Sequence, residues 1–266
     1  MTKTRIALIA AGLIIIWLLF LLPRVVVENE GSLQTGEPVE AADPHSMIPE
    51  EVAKAIVSLR AGYFKDASSE KSAIFADSLN TLYREAGQFD SAAWFAEKSA
   101  SFFNTMDSYR KTGNSYYEAY TFAMDAEKQG NMAEKTREYL SKVVASNPSD
   151  LDARNKIAMT YMSSSTPMEG IQLLRKILEE APENEGALFN MGMLAIQSGQ
   201  HDRAIDWLTK LIKVNEDHLQ GQLLLGVAYQ NKGDKENAKK QFEKVKEMDP
   251  DPSVQAAADS YLKNLN

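Results

Sequence analysis

Residues 185–218 separate into two short amphipathic segments with a turn between them. Leu188, Met191 and Ala195 fall three and four apart, the spacing of one face of an α-helix. Ala204, Leu208 and Leu211 resume that spacing beyond Ser198-Gly199-Gln200, where Gly199 offers the positive φ that ends a helix. The pattern predicts a helical hairpin with its apolar stripes facing each other. Gly192 lies beside the first stripe, where a side chain would obstruct the second helix. Ala204 is small enough to sit at the crossing.

The hairpin recurs. Thirty-four residues separate Gly192 from Gly226, Gly199 from Gly233, Ala204 from Ala238 and Leu208 from Phe242. The same step backwards reaches Ala158, Gly170 and Leu174, and Pro182 and Pro250 occupy equivalent slots with Glu216 between them. Units follow at 151–184, 185–218 and 219–252. Another at 117–150 has Leu140, Val143 and Pro148 in register, with Gly130 one place early, so its turn is expected one residue sooner. A degenerate unit at 73–106 keeps Leu79, Tyr83, Gly87, Phe89 and Ala92 in their slots. The ten residues Asp107–Tyr116 between these two units are expected as a longer loop or an extended helix. A period of this length predicts an all-α solenoid of about five stacked helical hairpins. An end repeat needs its apolar face covered. Pro49-Glu50-Glu51 starts a helix with an apolar face of Val52, Ile56, Leu59 and Tyr63, so 49–72 is expected as the N-terminal cap. Val254, Ala257, Ala258, Tyr261 and Leu265 make 253–266 the C-terminal cap.

Leu188-(x)2-Met191-Gly192-(x)2-Ala195 with Gly199, Ala204, Leu208 and Leu211 resembles the tetratricopeptide repeat (TPR). Leu225-Gly226-(x)2-Tyr229 with Gly233, Ala238, Phe242 and Pro250 resembles it more closely. The resemblance extends over 73–252 and is strongest in the last three units. No unit has Trp at its fourth position, and Gly170 stands where Ala is usual. The resemblance implies a concave groove lined by the first helix of each hairpin. Its positions here are Asp152, Asn155, Met159 and Met162, then Phe189, Met193 and Ile196, then Gln220, Leu223, Val227 and Gln230. An apolar centre with three methionines suits an amphipathic helix or extended segment of a partner protein. Met159 and Phe189 fit packing equally well, and Leu223 fits packing better. The basic set that clamps a C-terminal carboxylate in some TPRs is lacking, since Arg154, Asn155 and Lys156 cluster in one unit.

Ile6–Leu22 is seventeen residues without a charge. At ~1.5 Å per residue it spans about 26 Å, close to a ~30 Å hydrocarbon core. Lys3 and Arg5 precede it and Glu28 and Glu30 follow, which places 1–5 in the cytoplasm and the repeats outside. Leu21-Leu22-Pro23-Arg24 offers no small-residue cleavage site, so an uncleaved single-pass anchor in the inner membrane is expected. Residues 23–48, rich in Glu, Gly, Pro and Ala, read as a flexible linker.

The net charge is −8. Without Lys3, Arg5 and Arg24, 26 basic residues face 37 acidic ones, the wrong balance for a nucleic-acid surface. Cysteine is absent, and His45, His201 and His218 share no spacing and read as solvent-exposed. With no Gly-rich phosphate loop, neither an active site, a cofactor nor a metal is expected. The expected function is a membrane-anchored scaffold that binds protein segments during assembly of an envelope complex. The hairpin Met191–Leu211, with its turn at Gly199–Trp207, also resembles TPR subunits of bacterial cytochrome c biogenesis, implying apocytochrome docking. A general periplasmic chaperone or translocon-associated factor is the other alternative.

Overall fold

The computed structural model describes residues 48–265, which lie within one compact unit. The expected anchor at 6–22 and nearly all of the linker at 23–48 lie outside the described residues. Among those described, no helix is long and apolar enough to cross a membrane, and no strand occurs. The helices are α1 (Glu50–Lys65), α2 (Glu70–Glu85), α3 (Phe89–Phe103), α4 (Met106–Phe122), α5 (Ala126–Ser146) and α6 (Leu151–Thr160). They continue as α7 (Pro167–Glu180), α8 (Glu185–Gln197), α9 (His201–Val214), α10 (Leu219–Lys232), α11 (Lys235–Met248) and α12 (Pro252–Lys263). Each packs against the next in the chain. Five hairpins result, α2–α3 to α10–α11, with α1 and α12 at the ends.

Sequence chemistry sets both kinds of turn. Inside three hairpins a glycine at the same slot takes a positive φ: Gly87 at 71°, Gly199 at 70° and Gly233 at 87°. Each closes one paired motif. Gly199 N–H donates to Ile196 O and Gln200 N–H to Ala195 O, as Gly87 and Gln88 do to Arg84 and Tyr83 and Gly233 and Asp234 to Gln230 and Tyr229. Between hairpins the phase is equally regular. Asn147, Ala181 and Asn215 end the second helices, donating to Val143, Ile177 and Leu211. Pro148 and Pro182 follow the first two, and a proline there is compatible with the non-helical backbone that all three residues share, with φ between −136° and −140°. Asp150, Asn184 and His218 then cap the next helix, accepting the N–H of Ala153, Ala187 and Gly221. The Asp150 and Asn184 caps contribute about 1 kcal/mol each. His218, expected as a solvent-exposed histidine, is therefore a helix cap through Nδ1.

The helices of a hairpin touch where one lacks a side chain. A Cβ on Gly192 would come within 2.6 Å of Leu208, and one on Gly226 within 2.6 Å of Phe242. Gly113 meets Leu140 in the same way. That pair corrects the expected second unit. Its partners are 27 positions apart, against 16 in the other two pairs. Residues 107–116 are the body of α4, so the first helix begins at Met106 and not at 117. The extra length is spent at the hairpin's turn end, where α4 runs on to Phe122 and α5 starts early at Ala126. The turn is Ala123-Met124-Asp125, and Gly130 lies inside α5. Leu140, Val143 and Pro148 report only the second helix, which is why stepping by 34 misplaced the first.

The third hairpin lacks the turn glycine and closes differently. Its first helix tightens into a 3₁₀ turn at Tyr161–Ser163 before Ser164 and Pro167 start α7 anew. This brings the α6 backbone onto α7. A Cβ on Gly170 would collide with the Ala158 carbonyl oxygen and with Met162, which explains glycine where alanine is usual.

A polar knot joins α3, α4 and α5. Glu97 accepts hydrogen bonds from Tyr116 (2.7 Å), Tyr139 (2.9 Å) and Lys135 (2.8 Å). Burial works to raise the Glu97 pKa, but the bonds from Lys135 and the two tyrosines outweigh it and hold the carboxyl below its ordinary range. Burial, and then Glu97 itself, pushes both phenols well above theirs.

Two outcomes are expected. Gly170→Ala lowers stability by about 2–3 kcal/mol in urea unfolding, whereas Gly130→Ala, with nothing near its Cβ, raises it by about 0.5–1 kcal/mol; equal effects would contradict the backbone collision. Because the folded-state pKa of Glu97 is depressed, its contribution is present above the unfolded value of about 4.3 and is lost as pH falls through the folded value. The stability gap between the native chain and Glu97→Gln, about 1–2 kcal/mol at neutral pH, therefore closes on acidification; a gap constant down to pH ~3 refutes the ionised knot.

Candidate binding groove

The first helices of successive hairpins pack side by side from α4 through α6 and α8 to α10, while the second helices approach one another less closely. These first helices therefore form one side of the stack, the inner side that the resemblance implies, and the expected groove residues lie on them, with Met162 on the 3₁₀ turn beyond α6.

Their availability differs. Asp152 is exposed and pairs with Lys156 at 2.7 Å. Asn155 is only 7% exposed. Its amide nitrogen donates to Leu151 O and to Asn184 Oδ1, both at 2.9 Å, which ties one repeat to the cap of the next. Met159 is likewise 7% exposed and belongs to the core of α6, α7 and α8. Its carbonyl accepts from the Tyr120 hydroxyl at 2.9 Å across α4 and α6. Met162 packs on that core and covers Gly170. Phe189 stacks on His218 with ring centres 5.4 Å apart. Met193, Ile196, Leu223 and Val227 are half-buried, each against a neighbouring core cluster. Gln220 is open to solvent and Gln230 partly so. The partly accessible apolar positions of the groove are therefore Met193, Ile196, Leu223 and Val227, with Gln220 and Gln230 as the accessible amides.

Toward the N-terminus the inner face is polar, and this part escaped sequence reasoning. Arg84, Lys111, Asn114, Tyr117, Glu118 and Lys156 from α2, α4 and α6 line a depression of about 430 Å³. Arg84 holds Glu118 through two bonds, from Nε at 2.6 Å and Nη2 at 2.5 Å. Lys111 reaches Asp77 at 2.6 Å, and Lys156 reaches Asn114 at 2.9 Å. Burial pushes the Tyr117 phenol up to about 12. Cations are thus not confined to one unit, but each is engaged by a carboxylate or amide. Arg154, expected in the same cluster, instead pairs with Glu180 of α7. The signal for the missed residues was Gly113, which marks the centre of a first helix.

Residues 167–220 and 219–252 match two models of the tetratricopeptide repeat. This region consists of tetratricopeptide repeats. TTC0263 of Thermus thermophilus, described as a thermophilic TPR protein, superposes with a TM-score of 0.55 at 14% identity. That match covers 71% of this chain and 98% of TTC0263, and it shows a shared fold. Over 117 residues the chain is 29% identical to the human protein O-mannosyl-transferase TMTC3, covering 44% of this chain and 13% of that protein. Over 108 residues it is 27% identical to the Drosophila melanogaster BBSome complex member BBS4 homolog, covering 41% of this chain and 22% of that protein. The chain thus spans less than a quarter of either relative. Among the described residues no group of acidic or histidine side chains could hold a metal ion.

Proposed function

We propose that this chain is a membrane-anchored, non-catalytic scaffold that holds a segment of a partner protein in the concave groove of its TPRs during assembly of an envelope complex. The observation that carries the reading is the division of the inner face. Around Arg84, Lys111 and Lys156 the charges neutralise one another, whereas Met193, Ile196, Leu223 and Val227 are half-buried apolar side chains and the amides of Gln220 and Gln230 are at least partly open to solvent. Half-buried apolar side chains at helical spacing suit an amphipathic helix laid along the groove, and amides at the edge suit its backbone or polar rim. The uncharged run 6–22, with Lys3 and Arg5 before it and Glu28 and Glu30 after it, supports a single-pass anchor in the inner membrane with the repeats outside. Docking of apocytochrome or of varied unfolded clients would use the same groove; partners carrying C-x-x-C-H, or many unrelated partners, would select between them.

A photo-crosslinking residue at Gln230 of the full chain in its native membrane is expected to yield a discrete protein adduct that falls about tenfold or more when Met193→Glu is added, with helicity unchanged by circular dichroism. The same probe at Lys239, exposed on the second helix α11, yields none; comparable adducts at both sites would sink the groove. Deleting residues 1–27 is expected to move the protein from the membrane pellet to the soluble fraction, and retention in the pellet would refute the anchor.

A further inference from the structure

The outer side of the stack carries a second cleft, where α7 and α9 flank α8. Two cavities of about 230 and 460 Å³ adjoin there and share Arg175, Trp207 and Lys210. The floor is apolar, with Met191 and Leu194 of α8 beneath the first cavity and Leu178 and Pro182 beside the second. Trp207 stands half-buried between the cores of the third and fourth hairpins and packs on both. Lys210 lies over its ring with Nζ 4.6 Å from the centroid.

Three cations, Arg175, Arg203 and Lys210, gather at this cleft. The inner-face cations Arg84, Lys111 and Lys156 each reach a carboxylate. Among the described residues Arg175 and Lys210 pair with no carboxylate, and Arg203 at the same cleft bonds the Gln200 side-chain oxygen at 2.6 Å. Asp206 and Glu179 stand on the rim without closing onto any of the three. Three cations thus surround an aromatic wedge and an apolar floor in a chain of net charge −8. The repeat does not require this. Trp207's slot holds Leu173 and Gln241 in the neighbouring units, and Arg175's holds Thr209 and Glu243 one and two units on.

We infer that this outer cleft is a second docking site, for an acidic linear segment of a partner protein that also carries an aromatic or branched apolar side chain. The apolar side chain enters the space over Met191 and Leu194, and carboxylates settle between Arg175, Lys210 and Arg203. Unpaired cations at the edge of an apolar surface draw in an acidic segment and fix its register more than they add raw affinity. The site shares no lining residue with the concave groove, so the scaffold can hold two partners at once.

The test is selection of displayed random short peptides on the full chain in detergent micelles. Recovered peptides are expected to combine Asp or Glu with one aromatic or branched apolar residue, and to bind more weakly as salt rises. Arg175→Glu with Lys210→Glu, both on exposed positions, weakens them about tenfold or more without loss of helicity, whereas Met193→Glu leaves them bound. The inference is overturned if no recovered peptide depends on Arg175 and Lys210, or if the dependent ones are basic. It is also overturned if the double substitution instead dissolves a homo-oligomer in sedimentation, since the occupant is then a second copy of the chain.

Discussion

The structure depends on how closely two helices approach where one has given up its side chain. Gly192, Gly226 and Gly113 each receive a large residue from the partner helix, Leu208, Phe242 or Leu140. Those three residues are completely buried. In the third hairpin Ala158 faces Leu174 from the same slots, and the relief comes instead from Gly170, which admits the Ala158 carbonyl. In the first hairpin the slot holds Asn80, fully buried, which donates to Ala92 O and to Ser115 of the next unit, both at 2.8 Å. The slots are filled by different chemistries under one constraint of distance. Because a solenoid has no central core, each hairpin's stability rests on this contact and on its two neighbours.

The links between hairpins are more polar than the contacts within them, and they shape the groove. Asn155 bound to Asn184, Tyr120 bound to the Met159 carbonyl, Arg84 bound to Glu118 and Lys111 bound to Asp77 all cross from one first helix to the next unit. Directional bonds fix the rotation of each unit on its neighbour in a way that apolar contact alone does not. They also consume the polar groups that an inner face would otherwise show a ligand. The polar end of the groove is thus largely an inter-repeat joint, and the proposed recognition falls to the apolar end.

This explains what the sequence could and could not tell. Hairpins three to five were legible because small residues recur at one step in all three, with turn glycines in the last two and prolines closing the third and fifth, and these report contacts within a unit. The first helix of the second hairpin was not, since its extra length falls between Gly113 and Leu140 and the surviving register belonged to α5. The burial of Asn155 was hidden for another reason. It depends on Gly186 of the next unit, where a Cβ would come within 3.1 Å of the Asn155 amide nitrogen, and no periodicity within a unit encodes that. The capping role of His218 was available, because its slot holds Asn184 and Asp150 one and two periods earlier.

Helix α8 gives the two faces a common element. Phe189, Met193 and Ile196 belong to its groove side, while Met191 and Leu194 floor the outer cleft. Gly192 lies between the two sets and is pinned by Leu208 of α9, so α8 has little freedom to shift sideways without opening its own hairpin. An occupant of the outer cleft would touch α7, α8 and α9 together and oppose that opening. In a chain whose local stability sums over neighbouring interfaces, holding those three helices together also holds the surface from which the groove is built. Coupling between the faces therefore needs no change of shape, only a lower population of states in which the fourth hairpin has come apart.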